Sequence, residues 1–494
     1  MAITFPLESI ALDRGIAINL HRQLYSQLRS LIECRILPSG TALPSTRLLT
    51  KDLAVGRNTV IAAYEQLALE GYLLMRRGSP PLVMDLPTPA RAAKKTRTET
   101  GTISARGKIM LAQPHHYGSP GLVAFHPGLP DSDNFPFTTW SKLLGKRAKL
   151  ARHDMFGTYH ISGYPALCEA IARYLAVSRG MTCKPEQIVV TNGAQSAFDL
   201  LARLLIDPGD TVWMEEPGYY GAGAAFLSAG ANLVPLQVSD SGWNLEPPAV
   251  VPRLIFVTPS CHHPLGVTMP MEQRLNLIHM AEAWNSWIIE DDYDSEYRFQ
   301  GQPIPALQGI SASSRIVYVG TFAKILFPAM RLGFLVVPEA LREDITSALS
   351  VTGQFAPLVT QAALADFINE GHFARHLRRM RRLYAARRQY FMEICEDYLS
   401  PWLRLRRTES GIQLVGLFHE DHDDKVVARA ALAQGVNVSP LSIQYRHNNV
   451  QRGLLMGFAA ADEKTTKKAM AKLRDVLQTA MPRQTINLKT KAFS

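Results

Sequence analysis

The first part of the chain carries apolar residues at the spacing of short helices. Between residues 17 and 36 they recur every three or four positions, which predicts a helix with one apolar face. Ser45 is a suitable N-cap for a second, short helix. The predicted elements are, in order, helices 17–36, 45–53 and 57–69 and strands 72–77 and 82–84. Two helices joined by a tight turn and followed by a hairpin are typical of a winged helix-turn-helix, which we place at residues 17–84.

Strands and helices alternate in the second part of the chain, residues 111–482. Its strands are continuous apolar runs at 187–191, 211–215, 254–258, 287–291, 315–320 and 333–337. Such strands, separated by helices, predict a mostly parallel sheet covered on both faces, an α/β architecture. A long basic helix at 372–396 leads into a smaller α+β unit. Residues 85–110, rich in Pro, Ala, Lys, Arg and Thr, are predicted to form a flexible basic linker between the domains.

Net charge is the compositional feature that adds most to this pattern. The 494 residues hold 53 Lys and Arg against 43 Asp and Glu, a net charge of +10. Residues 1–110 account for +7 of it, from 15 basic and 8 acidic side chains. This excess indicates an anionic partner for the N-terminal domain, with a solvated basic face as the alternative.

Several classes of protein are excluded by features that the chain lacks. No run of about 18 uncharged apolar residues predicts a membrane helix, and the N-terminus does not have the pattern of a signal peptide. The five cysteines form no CxxC pair, which disfavours a disulfide scaffold and a structural zinc site. We therefore expect a cytoplasmic protein without a bound metal.

The second helix of the helix-turn-helix begins with side chains that can read DNA. In this motif the N-terminal residues of that helix face base edges in the major groove, and here they are Arg57, Asn58 and Thr59. Arg57 can pair with a guanine or a phosphate, and Thr59 with a phosphate or a thymine methyl. Further candidates, for contacts to the DNA backbone, are Arg47, Arg76 and Arg77. Taken singly, each has the alternative of an ordinary solvated side chain.

Residues 20–84 resemble the GntR family of bacterial regulators. The resemblance rests on the segment LPSTRLLTKDLAVGRNTVIAAYEQLALEGYL. It implies that this domain binds a double-stranded DNA operator. The tip of the wing, Ser79-Pro80-Pro81, departs from the Ser-Gly-Thr type that is usual in the family.

Two segments of the second domain indicate a cofactor with a ring and a phosphate. In VGTFAKILFPAMRLGFLV, residues 319–336, a lysine precedes an arginine by seven positions. This arrangement suits a Schiff-base lysine, Lys324, beside a phosphate-binding arginine, Arg331. In WIIEDDYDSEYRF, Asp291 ends an apolar strand and Tyr293 follows it, at the kind of strand end where α/β folds bind ligands. The carboxylate can pair with a pyridine nitrogen and the phenol with a ring oxygen; an acidic loop without a ligand is the alternative.

Two further segments offer groups to the same ligand. TNGAQSAFDLL opens a helix, so Gly193, Ala194 and Gln195 can present backbone N–H groups to a phosphate. EEPGYYGAGAAF places Tyr219 on a loop after a strand, where it can stack on a planar ring or pack into the core.

Together these segments resemble the fold-type I aminotransferases, which depend on pyridoxal 5′-phosphate (PLP), over residues 115–480. With the N-terminal domain, the chain resembles the MocR/GabR group of transcriptional regulators, notably in VTPSCHHPLGVTM and IIEDDYDSEYRFQGQPIPALQG. The resemblance implies PLP as cofactor, with Lys324 as the Schiff base and Asp291 and Tyr293 at the pyridine N1 and O3′. It assigns the phosphate to Thr321, Arg331 and Gly193–Gln195, and the ring face to Tyr219. Tyr159 matches a tyrosine that reaches a neighbouring subunit's site, which implies a homodimer.

Four positions depart from the aminotransferase pattern. His263 stands at the position of an asparagine that bonds O3′, and can donate in its place or only pack. Ala323 replaces a serine and Cys168 an arginine. Arg452 lies three residues from the position of the arginine that holds a substrate carboxylate. We therefore expect a sensor rather than an efficient transaminase.

Three hypotheses follow. The first is a transcriptional regulator whose second domain senses an amine, an amino acid or PLP itself. The second is a working aminotransferase with an appended DNA-binding domain. The third is a degenerate cofactor site in a domain that serves only for dimerisation.

Overall fold

The computed structural model describes residues 5, 7–76, 78–85, 103–113, 124–150, 159–311, 315–447 and 450–481. By their contacts these residues belong to two units, which divide the chain between Thr102 and Ile103. Within the described ranges, no helix is both long and apolar enough to cross a membrane.

Among its described residues, the first unit contains the predicted three α-helices and a short hairpin in the predicted order, after a 3-10 turn at Leu7–Ser9. The helices are α1, Leu20–Glu33, α2, Thr46–Asp52, and α3, Arg57–Leu69. The antiparallel strands β1, Leu73–Leu74, and β2, Leu82–Val83, are shorter than predicted. The Ser45 side chain accepts a hydrogen bond from the Leu48 backbone N–H and so caps α2. Leu28 and Val60, on the facing helices α1 and α3, are fully buried in the core of this unit.

The second unit is built on an eight-stranded sheet. Its strands are β3, Ile188–Thr191, β4, Thr211–Glu216, β5, Asn232–Ser239, β6, Gly242–Trp243, β7, Leu254–Val257, β8, Trp287–Asp292, β9, Ile316–Thr321, and β10, Gly333–Val336. Their spatial order is β3-β10-β9-β8-β7-β4-β5-β6. The pairs from β9 to β5 are parallel, while β10 and β6 run antiparallel to their neighbours. The predicted mostly parallel sheet is confirmed.

Strand β5 was not predicted because its pattern is mixed. Most of its residues are partly or fully exposed and it contains Pro235, so it is not a continuous apolar run. It lies near the edge of the sheet, covered on its outer side only by the two residues of β6. Such a position requires fewer apolar side chains than a central strand does.

Helices cover this sheet and connect it to a smaller one. The helices are α4, Ala105–Leu111, α5, Phe137–Leu150, α6, Pro165–Arg179, α7, Ala194–Leu205, α8, Tyr220–Ala229, α9, Met271–Trp284, α10, Leu307–Ile310, α11, Arg342–Thr352, α12, Leu358–Asn369, α13, His372–Leu399, α14, Asp424–Ala433, and α15, Glu463–Ala480. The small sheet is antiparallel, in the order β11, Leu403–Leu405, β12, Gln413–Phe418, β14, Gly453–Gly457, and β13, Ser439–Pro440. The long basic helix is α13.

Helix α4 corrects the predicted extent of the linker. Residues 105–111 form a helix capped by Ser104, whose hydroxyl accepts a hydrogen bond from the Gly107 N–H at 3.0 Å. The helix contacts α8 and belongs to the second unit. The basic composition that suggested a linker is compatible with an exposed helix, because α4 buries no side chain completely. The remainder of the predicted linker, residues 86–102, lies outside the described residues.

Candidate functional site

The parallel strands β8 and β9 end at the same edge of the large sheet. Asp291 is the next-to-last residue of β8 and pairs with Val319 of β9. Tyr293 follows β8 directly, and Lys324 follows β9 by three residues. The pairing therefore brings the two segments that the sequence singled out to one place.

A buried ion pair holds the end of β8. Arg179, on α6, and Asp292 are both almost fully buried, with 2.8 Å between Nε and Oδ2. The Tyr318 hydroxyl of β9 donates to the same carboxylate at 2.6 Å. Asp292 thus links β8, β9 and α6, which leaves the adjacent Asp291 in a defined position.

The Lys324 amine lies against the Tyr293 ring, 4.9 Å from its centroid. Asp291 is 6% exposed, and burial, aided by the Asp292 carboxylate, raises its pKa to about 8. The Lys324 cation opposes this rise, so the carboxyl and the amine lie close enough to interact. Burial likewise raises the pKa of Tyr293 well above its usual value, and its hydroxyl lies 3.8 Å from the Cys261 sulfur.

Gly128 lies directly against the Lys324 amine. A Cβ at this position would collide with the Lys324 Nζ, and the backbone has a φ of +65°, in the left-handed region. Only glycine satisfies both conditions without displacing the amine. No sequence motif pointed to Gly128, because its segment, HPGLPD, belongs to no regular element.

His263 lies between two of the predicted aromatic residues. Its ring is edge-on to Tyr219, at 5.4 Å between centroids, and to Tyr293, at 5.7 Å. Its Nδ1 lies 3.3 Å from Nε2 of Gln413, a residue that is 6% exposed at the start of β12. The structure therefore joins His263 and Tyr219 to the group around Lys324, and adds Gln413 from the small sheet. The only sequence signal for Gln413 was a polar residue at the start of an apolar strand.

Glu215 positions the loop that carries His263. This buried carboxyl accepts hydrogen bonds from the Thr258 backbone N–H at 2.7 Å, its hydroxyl at 2.6 Å and the Trp243 indole at 2.7 Å. Burial raises the pKa of Glu215 to about 8. The Thr258 oxygen in turn accepts the backbone N–H of His263 at 3.0 Å. Glu215 is the first residue of the segment EEPGYYGAGAAF, which also contains Tyr219. Its role in positioning the loop of His263 is visible only from these tertiary contacts.

Three of the predicted phosphate-binding residues, Gly193, Ala194 and Gln195, stand at the start of α7. Gly193 caps this helix with a φ of +89°, and the space beside its Cα is open. The first N–H groups of a helix have no acceptor within it, so those of Ala194 and Gln195 can serve an anion. The Gln195 side chain is used elsewhere, because its Nε2 donates to the Gly221 carbonyl at 2.8 Å.

Two further residues of this group come from the segment around Lys324. The Thr321 hydroxyl accepts a hydrogen bond from the Ala323 N–H at 3.2 Å, which shapes the turn before the lysine. Arg331 is exposed, with a φ of +50°, directly after the short 3-10 helix Pro328–Met330. Burial raises the pKa of Tyr219 and the Arg331 charge opposes this rise, so the guanidinium lies near the Tyr219 ring.

The structure places three other residues away from this group. Tyr159 is 77% exposed and its ring contacts Phe355. Cys168 is buried in the core of the second unit. Arg452 precedes β14, at the opposite end of that strand from the residue that pairs with Gln413, and it lies 3.4 Å from Asp421. The arginine nearest in sequence to the expected substrate clamp is thus directed elsewhere.

The candidate DNA contacts lie on the surface of the first unit. Arg57 and Asn58 are exposed at the start of α3, and Thr59 is half-buried. Arg47 and Arg76 are exposed, and Arg77 lies outside the described residues.

The two units match two different protein families. Residues 20–83 match the family described as "Bacterial regulatory proteins, gntR family", and residues 129–473 match "Aminotransferase class I and II". The "Probable rhizopine catabolism regulatory protein MocR" of Rhizobium meliloti is 50% identical over 94% of this chain and 95% of its own length. This chain is a MocR-type regulator of the GntR family.

Other relatives of this MocR-type regulator agree with that assignment. The "HTH-type pyridoxine biosynthesis transcriptional regulator PdxR" of Corynebacterium glutamicum is 31% identical over 94% of this chain and 99% of its own length. The structure of a multiple substrate aminotransferase from Thermococcus profundus matches with a TM-score of 0.68 at 23% identity, covering 77% of this chain and 98% of that one. The predicted winged helix-turn-helix, the aminotransferase fold and the regulator class are confirmed, and the regulator is favoured over an enzyme with an appended domain.

The residues present in the second unit fit the cofactor of the aminotransferase fold. Aminotransferases of this class depend on PLP. The structure of LysN from Thermus thermophilus was determined in complex with N-(5′-phosphopyridoxyl)-L-leucine. It matches this chain with a TM-score of 0.67 at 23% identity, covering 76% of this chain and 95% of that one. The Lys324 amine suits the aldehyde of PLP, and the buried carboxyl of Asp291 suits the pyridine nitrogen. The two phenols, of Tyr293 and Tyr219, suit the ring, and the open start of α7 suits the phosphate.

Proposed function

We propose that this regulator binds a DNA operator through its winged helix-turn-helix and binds PLP covalently through Lys324. An amine, an amino acid or PLP itself then changes its affinity for DNA. One observation carries the proposal: the Lys324 amine lies against the Tyr293 ring and beside the buried Asp291, in a chain that also carries a GntR domain.

The chain's own residues would hold the cofactor at three points. When bound, PLP supplies an aldehyde that condenses with primary amines and an electron-withdrawing pyridine ring. Tyr293 and His263 would meet the ring oxygen, and Tyr219 the ring face. The backbone N–H groups at the start of α7 and the Arg331 guanidinium would bind the phosphate.

Asp291 would form a hydrogen bond with the pyridine nitrogen and supply its proton. With a pKa of about 8, this carboxyl carries a proton at neutral pH before it gains a partner. It can pass that proton to the ring nitrogen and remain as the carboxylate that accepts the N–H. The proton thus stays between two atoms of a buried pair, and no exchange with solvent is needed.

Sensing requires that the ligand prefers one arrangement of the domains. A ligand that binds both arrangements equally well shifts nothing. A homodimer would give two DNA-reading domains and two cofactor sites, and the 77% exposed Tyr159 supports a contact with a second copy.

The test is an absorbance spectrum of the purified chain with PLP, compared between the wild type, Lys324→Ala and Lys425→Ala. Lys425 is an exposed lysine on α14 and serves as the matched control. We expect the absorbance band of the bound cofactor in the wild type and the control, and its loss in Lys324→Ala. Borohydride reduction followed by peptide mapping should label Lys324. A label on another lysine would refute this assignment.

The same preparation separates the other hypotheses. Steady formation of an α-keto acid from an amino donor would favour the enzyme, whereas a single spectral change without turnover favours the sensor. Intact DNA binding without any cofactor band would favour a domain that only dimerises.

A further inference from the structure

We propose that Arg446 is a positioning residue that joins the loop of Tyr219 to helix α4, the first element after the linker. The loop in question, residues 217–220, is called the ring-facing loop. This inference rests on the proposed function, because it names the path by which an occupied cofactor site would reach the chain segment that leads to the DNA-binding domain.

Arg446 is anchored first on the ring-facing loop and on α8, which follows it. Its Nη2 donates to the Tyr220 carbonyl oxygen at 3.1 Å. Gly223, one turn further along α8, faces the guanidinium so closely that a Cβ there would collide with it. The Gly218 N–H donates to the Gln444 carbonyl at 3.0 Å. The ring-facing loop cannot move without displacing the segment that carries Arg446.

A buried carboxylate fixes the backbone of that segment. Glu216, the last residue of β4, is 2% exposed. Its Oε1 accepts the backbone N–H groups of Arg446 at 2.7 Å and His447 at 2.8 Å. The side chain of Arg446 therefore extends from a backbone that is tied to the large sheet, at the strand end that leads into the ring-facing loop.

The second anchor of the Arg446 guanidinium lies beyond the end of α4. Its Nη1 donates to Gln113 Oε1 at 3.2 Å, and Gln113 follows α4 by two residues. Helix α4 also contacts α8, whose first residue is Tyr220. One planar cation thus bridges the carbonyl of Tyr220 and the amide of Gln113. A guanidinium can do so because its donors diverge in a fixed plane, which a lysine ammonium does not reproduce.

The consequence is a short and continuous path through hydrogen bonds. A ring packed on Tyr219 would restrict the ring-facing loop. This loop is hydrogen-bonded to Arg446, which in turn is hydrogen-bonded to Gln113 at the end of α4. Coupling of this kind requires one structural element whose position is affected by both sites, the cofactor site and the DNA-binding domain. Here that element is α4. The linker enters the second unit immediately before that helix.

The experiment measures hydrogen exchange of the peptide 103–113 in the full-length chain, with and without PLP. Gln113→Ala removes the acceptor for Arg446 and leaves the loop contacts in place. Arg446→Lys removes the bridge. Gln389→Ala, which deletes an exposed side-chain hydrogen bond to Glu393 on α13, is the matched control.

In the wild type and the control, we expect bound PLP to slow exchange in α4 at least threefold. In Gln113→Ala, the cofactor should bind with unchanged absorbance while exchange in α4 no longer responds. Arg446→Lys should lose the response and also alter the circular dichroism of the bound cofactor, because the ring-facing loop is released. In parallel, we measure the affinity of each protein, with and without PLP, for a DNA fragment that the wild type selects from a random pool. If PLP changes the DNA affinity of the wild type, the corresponding change in Gln113→Ala should be less than twofold.

The outcomes are separable. If no cofactor band forms in the wild type, the proposed function fails and this inference with it. If the band forms but exchange in α4 is the same with and without PLP, only the role of Arg446 is overturned. A full response retained in both Gln113→Ala and Arg446→Lys would overturn it as well.

Discussion

The buried Asp291 allows a prediction whose size follows from the structure. Its pKa rises from 3.8 to about 8, first because of burial and then because of the Asp292 carboxylate. The folded protein without PLP therefore holds a proton that the unfolded chain releases. We consider the substitution Asp291→Asn, which has nearly the shape of the protonated carboxyl and cannot ionise.

The sign follows from proton counting. Between about pH 4 and pH 8 the folded state binds more protons at Asp291 than the unfolded state, so stability decreases as pH rises. The slope is about 1.4 kcal/mol per pH unit, or about 4 kcal/mol between pH 5 and pH 8. Asp291→Asn lacks this contribution, so its stability relative to the wild type should rise by about that amount over the same interval.

The assay is urea unfolding without PLP, followed by tryptophan fluorescence at pH 5 and pH 8. All six tryptophans lie between Trp140 and Trp402, so the signal reports only on the second unit. The difference between the two proteins cancels the titration of buried carboxyls that do not interact with Asp291, such as Glu290, whose pKa burial raises to about 7.

The same variant should bind PLP poorly. Removal of one partner from a buried charge pair costs about 3–5 kcal/mol, which corresponds to roughly 10²–10⁴-fold in the dissociation constant. A stability difference that does not change with pH would refute the raised pKa. PLP affinity within twofold of the wild type would refute the pairing of Asp291 with the ring nitrogen.

Two further predictions concern DNA and the support of the site. Arg57→Ala should lower operator affinity by about tenfold or more and leave the cofactor band unchanged. Arg22→Ala, at an exposed arginine on α1, is the control, and equal DNA affinity of Arg57→Ala and the wild type would remove Arg57 from the reading surface. Arg179→Met should destabilise the second unit by about 3–5 kcal/mol in urea unfolding, since it leaves Asp292 buried without its cation. The exposed Arg173→Met on the same helix should change stability by less than about 0.5 kcal/mol, and an equal loss in both variants would contradict the argument.

The sequence alone was sufficient for features that depend on local order. The spacing of apolar residues predicted α1 to α3 and six strands of the large sheet, because helices and strands present side chains at fixed periods. Asp291 stands at the end of one predicted apolar strand and Lys324 follows another by three residues; the two strands are parallel neighbours, so both residues come to the same edge of the sheet.

What remained depended on contacts between residues far apart in the chain. Gly128 lies against Lys324 and Gln413 against His263, from positions that are separated by 285 residues in the numbering, and neither stands in a recognisable motif. Arg446 joins Tyr220 to Gln113 across similar separations. The composition of residues 85–110 predicts a linker, but residues 105–111 form α4, a helix that buries no side chain completely. Local sequence encodes the period of an element, whereas a site assembled from several loops is decided by how the elements pack.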